Sequence, residues 1–156
     1  MESIVICAFS GTGKTLLADS ESTVAREVDA TNCPDTVEGV TYYVDSAEII
    51  IKSGMFQYVL LSCRCDIRNE LARREIPYVI VMPRKEDLNE YMQRWLRRGT
   101  PTRLLRSLQD NWNAYLASCG NDPAPKIFLE RDQWLKDVLK LYQGMSQITE
   151  GLNHGA

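Results

Sequence analysis

The residues best suited to chemistry lie near the start of the chain, in the segment Ala8–Thr15, whose sequence is AFSGTGKT. It follows the apolar run at 3–7 and precedes good helix formers, an order that predicts strand, loop and helix. In such a loop, backbone N–H groups surround phosphate oxygens, the lysine reaches the outer phosphates, and the threonine hydroxyl binds Mg²⁺. The segment therefore has the pattern of a phosphate-binding loop (P-loop), with Ala8 in place of the first glycine.

Two further candidates end predicted strands. Asp29 ends a strand predicted over 23–29, where its carboxylate could accept a proton from an attacking hydroxyl or hold a magnesium-bound water. Alternatively, it caps the turn that follows. Ser62 ends a strand predicted over 56–62, where a hydroxyl can bond to a metal-bound water but brings no charge. The lack of an acid at this position argues against a vigorous ATP-hydrolysing motor.

Arginines in and after a helix predicted over 85–98 form the third candidate group. Helical rotation places Arg94 and Arg98 on one flank of that helix, with Arg97 its most exposed position. Arginines can neutralise the charge that phosphoryl transfer spreads over several oxygens. A solvated basic face is the alternative. The members are Arg94, Arg97, Arg98, Arg103 and Arg106.

The elements that must position these residues alternate between strands and helices. Predicted strands cover residues 3–7, 23–29, 56–62, 77–83 and 126–129, and predicted helices cover 14–20, 42–53, 66–75, 85–98, 102–118 and 132–142. This alternation predicts a doubly wound parallel sheet with helices on both faces. Because ligands gather at the carboxyl ends of such strands, the candidates are expected to converge on one cleft.

The composition sets broad limits. With 156 residues, 44% apolar and 25% charged, we expect one globular domain over residues 1–143, followed by a loose tail at 144–156. The net charge of −3 argues against a nucleic-acid-coating protein. The N-terminal apolar run is too short for a signal peptide or a membrane span. Five scattered cysteines indicate reduced thiols in a cytoplasmic protein.

On these motifs the chain resembles the P-loop nucleoside and nucleotide kinase superfamily, in particular the small single-domain nucleotide-kinase-like proteins of phages and bacteria. The resemblance implies a three-layer αβα P-loop NTPase fold, with a five-stranded parallel sheet in the order 2-3-1-4-5 and an arginine-bearing helical lid. It also implies ATP or another nucleoside triphosphate, with Mg²⁺, as cofactors.

The resemblance further implies roles for individual residues. Lys14, Asp29, Arg94 and Arg98 would be catalytic, and Thr15, Asp29 and Ser62 would serve the metal. The residues at the nucleotide would be Ser10, Gly11, Thr12, Gly13, Lys14, Thr15 and Leu16.

The expected function is an ATP- and Mg²⁺-dependent phosphotransferase whose acceptor is a small molecule, a nucleoside or a nucleoside monophosphate. Two alternatives stay open: a nucleotide-binding regulator or adaptor with little turnover, and a kinase of nucleic-acid ends. Because the chain has a net negative charge, the kinase of nucleic-acid ends is the least favoured of these functions. Neither a membrane nor a nucleic acid is an expected partner.

Overall fold

A computed structural model describes residues 2–139, and within them the predicted alternation is confirmed. A five-stranded, all-parallel sheet has the order β2-β3-β1-β4-β5. The strands are β1 (Ile4–Ala8), β2 (Ala25–Glu27), β3 (Tyr58–Ser62), β4 (Val79–Pro83) and β5 (Lys126–Leu129). The helices are α1 (Lys14–Ser20), α2 (Val37–Ser53), α3 (Cys65–Arg73), α4 (Leu88–Arg97), α5 (Thr102–Asp110) and α6 (Trp112–Asn121), with a 3₁₀ turn at Lys85–Asp87.

Alternate residues of each strand point to opposite faces of the sheet, and each face has its own core. On one face, Cys7 and Leu61 pack with side chains from α2, α3, α4 and α6. On the other, Ala8 and Leu60 pack with Leu17 of α1 and with apolar residues of the helical segment 135–139. The strands are therefore buried on both sides, as their nearly continuous apolar sequences predict.

Three elements differ most from the sequence-based expectation. The strand predicted over 23–29 is only Ala25–Glu27, so it ends two residues before Asp29. The helix predicted over 42–53 begins earlier, at Val37, because the Thr36 hydroxyl accepts the Gly39 amide as an N-cap. The helix predicted over 102–118 is two helices, separated at Asn111.

The register of the central strands fixes where the loops meet. Ala8, the last residue of β1, lies beside Ser62 at the end of β3 and beside Val81 of β4. The P-loop thus leaves the middle of the sheet at its carboxyl edge, next to the connection that follows β3. No helix within residues 2–139 is long and apolar enough to cross a membrane. The predicted tail at 144–156 lies outside the described residues.

Candidate active site

The P-loop has the backbone geometry that its sequence predicts. Gly11 and Gly13 have positive φ angles of 89° and 100°, a backbone conformation that residues with a Cβ rarely adopt. Gly13 is the N-cap of α1, which begins at Lys14. The first-turn amides of a helix have no acceptor inside the helix, so they are available to a ligand oxygen. The loop therefore forms a turn of backbone ending on a helix N-terminus.

Two tryptophans brace the loop from behind. The Trp95 indole Nε1 donates a hydrogen bond of 3.3 Å to the Ser10 carbonyl, and Trp95 is fully buried. The Trp134 ring lies against Gly13, where an added Cβ would be 3.0 Å from Cε3. The chain segment after β5 contributes as well, since the Leu135 amide donates to the Thr12 carbonyl at 2.9 Å. The loop is thus fixed by aromatic packing and backbone bonds.

Arg94 lies behind the loop and contacts its backbone. Its guanidinium donates to the Gly11 carbonyl at 3.1 Å and to the carbonyls of Arg131 and Gln133 at 3.2 and 2.8 Å. It also stacks over the Trp134 ring, 3.9 Å from the ring centre, and only 3% of the residue is exposed. Arg94 therefore ties the P-loop to the segment after β5, and it does not line the cleft at the front of the loop.

The other arginines of the predicted cluster separate. Arg98 lies at the front of the loop, where its guanidinium donates to the Ser10 hydroxyl at 2.7 Å. Arg103 lines the same cleft from α5. Arg97 and Arg106 are exposed and line no part of it. The sequence-based grouping of Arg94 with Arg98 on one flank thus joins two residues that contact opposite sides of the P-loop.

The structure adds one acidic residue that the sequence reasoning missed. The Thr15 hydroxyl donates to the Glu27 carboxylate at 2.7 Å, so the last residue of β2 meets the first turn of α1. The strand prediction extended through Val28 to Asp29 and assigned the strand-end acid to the wrong residue of the Glu27-Val28-Asp29 triplet. The sequence did contain a signal for this residue, because Glu27 is an acid two positions before Asp29.

Asp29 and Ser62 both line the cleft, each with a local partner. The Asp29 carboxylate accepts the Thr31 amide at 2.9 Å and its hydroxyl at 2.7 Å, which is the capped turn expected as its alternative role. These hydrogen bonds lower the pKa of Asp29, so it is ionised at neutral pH. The Ser62 hydroxyl accepts the Arg64 amide at 3.2 Å. None of the bonds described connects either residue to Thr15.

The cleft has a volume of about 1440 Å³ and opens at the carboxyl edge of the sheet. It extends from the P-loop past Glu27 to the connections after β2 and β3. Arg64 lies on that side, and its guanidinium donates hydrogen bonds of 3.1 and 2.6 Å to the Asp66 carboxylate. Apolar groups of α5 and α6 complete the wall, namely Leu104, Leu108 and Tyr115. The space is large enough for two substrates side by side.

Lys14 contributes a positive charge to the cleft beside the P-loop. Its Nζ donates to the Ala8 carbonyl at 2.8 Å, which places the ammonium within the curve of the loop. Burial lowers the pKa of Lys14, and the neighbouring Arg98 acts in the same direction, whereas Glu27 opposes them. An anion entering the loop would relieve this desolvation and the repulsion between the two cations.

The donor atoms fit a magnesium nucleotide. Thr15 and Glu27 offer a hydroxyl and a carboxylate oxygen in contact, and Mg²⁺ prefers hard oxygen ligands. Within residues 2–139, no group of three His, Cys, Asp or Glu side chains could hold a metal by itself. A magnesium ion at Thr15 and Glu27 would thus complete its shell with phosphate oxygens and water, the usual arrangement for this ion.

A comparison with solved structures supports the fold. A gluconokinase from Sinorhizobium meliloti 1021 is similar over 99% of this chain and 97% of its own, with 18% sequence identity and a TM-score of 0.57. An uncharacterized protein from Eubacterium ventriosum ATCC 27560 is similar over 92% of this chain and 98% of its own, with 10% identity and a TM-score of 0.45. No protein-family model matches the sequence. No curated protein matches it either. The chain thus shares with the gluconokinase the fold of a small α/β protein.

Proposed function

We propose that this protein is an ATP- and Mg²⁺-dependent phosphotransferase that acts on a small acceptor molecule. The observation on which the proposal rests is the contact between Thr15 and Glu27, directly beside the P-loop lysine and inside a cleft large enough for a second substrate. The gluconokinase likeness supports a small-molecule kinase, and the acceptor classes to test are nucleosides, nucleoside monophosphates and sugar acids.

In the proposed mechanism, groups of the chain bind the nucleotide, orient the acceptor and neutralise charge on the phosphates. The P-loop amides and Lys14 would hold the β- and γ-phosphates, and Thr15 and Glu27 would hold the metal, which would neutralise part of the phosphate charge. Asp29 faces the cleft as a carboxylate and accepts a hydrogen bond from the acceptor hydroxyl, which it orients. Arg98 moves from the Ser10 hydroxyl to the transferring phosphoryl group, which it can contact with two parallel N–H donors.

In this proposal Arg94 has a positioning role. Its guanidinium bonds to three backbone carbonyls and, at 3.3 Å, to the Glu90 carboxylate, so it preserves the shape of the loop on which transfer depends. Ser62 is not an acid, but Glu27 on the neighbouring strand would supply the acidic metal ligand. This arrangement favours a kinase over the nucleotide-binding regulator with little turnover.

The first test measures transfer of the γ-phosphate of labelled ATP to each acceptor class in the presence of Mg²⁺. Lys14→Ala is expected to reduce transfer at least about 100-fold, because it removes a preorganised charge from the developing anion. Glu27→Gln is expected to raise the Mg²⁺ concentration needed for half-maximal rate. Circular dichroism of each variant checks that the fold is intact.

A matched pair of arginine variants tests the role of Arg98. Arg98→Ala is expected to lower kcat about 100-fold or more, whereas Arg97→Ala, one residue away and outside the cleft, is expected to leave it unchanged. Equal effects of the two variants would contradict the role given to Arg98. Unchanged transfer in Lys14→Ala would refute the kinase, and nucleotide binding without transfer to any acceptor would support the regulator instead.

A further inference from the structure

Two cysteine thiols meet in the wall of the cleft. Cys63 follows the last residue of β3, and Cys119 lies in α6, far away in sequence. The two thiols are close enough to influence each other's pKa, both line the cleft, and both are free. The mechanism proposed above uses neither of them. Cys63 is partly exposed, whereas Cys119 is only 1% exposed. Two neighbouring thiols need little movement to become a disulfide.

A buried arginine holds the two cysteine-bearing segments together. Arg68 donates from Nε to the Cys63 carbonyl at 2.7 Å, and from its two terminal nitrogens to the Ser118 carbonyl and hydroxyl at 3.4 and 2.7 Å. Its position is fixed by an ion pair of 2.7 Å with Asp122, and 3% of the Arg68 side chain is exposed. Arg68 therefore holds the backbone of Cys63 close to Ser118, the residue before Cys119.

The electrostatics of the pair favour reaction at Cys119. The hydrogen bond with Cys63 lowers the pKa of Cys119 to about 7, and the nearby Arg68 guanidinium acts in the same direction against burial. A thiolate is the reactive form of cysteine. For Cys7, burial is the largest influence and raises its pKa. Cys65 is exposed and points to a different neighbour, Asn69, whose amide it accepts at 3.6 Å.

We propose that Cys63 and Cys119 form a reversible oxidation site, which a peroxide converts into a disulfide joining the end of β3 to α6. The Cys119 thiolate attacks one oxygen of hydrogen peroxide, the O–O bond breaks, and the hydroxide that leaves takes up a proton to become water. The Cys63 sulfur then attacks the Cys119 sulfenic acid, the S–O bond breaks, and the oxygen leaves as water with the Cys63 proton. The two thiols supply the two electrons that reduce the peroxide. A dithiol reductant reverses the step by thiol–disulfide exchange.

Peptide mapping of the full-length protein tests the proposal directly. Trypsin cleaves after Arg64, between Cys63 and Cys65, so that all five cysteines fall on different peptides. These are residues 1–14, 27–52, 53–64, 65–68 and 107–126. The native protein is treated with limiting hydrogen peroxide, its remaining thiols are alkylated, and the digest is analysed by mass spectrometry without reduction.

The expected product is peptide 53–64 linked to peptide 107–126 with the loss of two hydrogen atoms, and dithiothreitol separates them. The cross-link closes a long loop of chain, so we also expect the oxidised protein to melt at a higher temperature than the reduced one. A digest in which both peptides stay alkylated, or in which Cys63 is linked to a cysteine other than Cys119, would overturn the proposal.

Variants separate this pair from the other thiols. Cys63→Ser and Cys119→Ala are each expected to abolish the cross-link, and the melting temperature no longer rises on oxidation. Cys65→Ser is the matched control, two residues from Cys63, and it is expected to retain the cross-link in full. Loss of the cross-link in the Cys65→Ser protein would also overturn the proposal, because it would place Cys65 in the reacting pair. Peptide mapping of the protein without substitutions tests the proposed cross-link even if Cys63→Ser or Cys119→Ala does not fold.

Discussion

The close packing of the P-loop against α4 predicts that Gly11→Ala is strongly destabilising. A Cβ on Gly11 would lie 2.8 Å from the Trp95 indole nitrogen and 3.1 Å from a ring carbon of Tyr91. Both of these side chains are fully buried, so neither can move aside freely. In addition, the φ angle of 89° is one that alanine rarely adopts. The substitution thus meets a steric obstacle and a backbone penalty at once.

The two contributions add to a substantial effect. A positive φ costs a residue with a Cβ about 1–2 kcal/mol. Forcing an extra methyl group into a well-packed core costs about 1–3 kcal/mol. Gly11→Ala should therefore lower the free energy of unfolding by about 2–5 kcal/mol, a large share of the total stability of a domain.

Two other glycines separate these contributions. Gly99 has a φ of 75° and nothing within 4 Å of the position that a Cβ would take, so Gly99→Ala reports the backbone penalty alone. Gly120 is in α6 with equally open space and no positive φ, and Gly120→Ala should raise the stability by about 0.5–1 kcal/mol. Urea unfolding followed by circular dichroism gives the three values on one scale.

The order of the three variants is the critical result. We expect Gly11→Ala to be the least stable, Gly99→Ala intermediate and Gly120→Ala the most stable. If Gly11→Ala were no less stable than Gly99→Ala, Trp95 and Tyr91 would not be a rigid support for the P-loop, and the reasoning given for the loop's geometry would fail.

Three further substitutions test the packing around the site, each by urea unfolding. Arg94→Met keeps an unbranched, flexible side chain but donates no hydrogen bonds, so about 2–4 kcal/mol should be lost as buried carbonyls and the Glu90 carboxylate lose their donor; no loss would contradict the positioning role of Arg94. Burial raises the pKa of Asp122, but the Ala124 amide and the Arg68 guanidinium outweigh it and hold that pKa below its usual value. The ionised Asp122 therefore stabilises the fold fully above about pH 4, and this stabilisation is lost as the pH falls through the lowered pKa. Asp122→Asn should thus cost about 3–5 kcal/mol at neutral pH and less at about pH 3; a pH-independent difference would refute the linkage. Thr36→Ala should cost about 1 kcal/mol through the lost N-cap of α2, with an unchanged value showing that the cap is not needed.

The sequence predicts most of the fold because its local signals are strong. Short apolar runs between glycine- or proline-containing connections mark the strands, and β5 and α1 have the predicted boundaries. The strand order 2-3-1-4-5, expected from the resemblance, is confirmed. The end of β2 could not be predicted, because Val28 continues the apolar pattern while Asp29 turns the chain through its bonds to Thr31. A strand of three residues is defined by pairing with its neighbour rather than by its own sequence.

The candidate site is predictable where it is local and not where it depends on distant contacts. The P-loop lies within a few residues of sequence, so its pattern alone indicates its geometry. Helical spacing places Arg94 and Arg98 on the same flank, but nothing near them indicates that Trp134 and the carbonyls of the segment after β5 surround Arg94. The likewise distant contact between Cys63 and Cys119 is visible only once β3 and α6 are packed together.

The aromatic support of the P-loop gives the protein an intrinsic optical signal. The chain has three tryptophans, and all of them belong to this region: Trp95 bonds to the Ser10 carbonyl, Trp134 covers Gly13, and Trp112 packs against Trp95 and Phe9. No indole elsewhere contributes background emission. Fluorescence excited at the tryptophan band therefore reports on the surroundings of one loop, so that ligand titrations can be followed on the unlabelled protein.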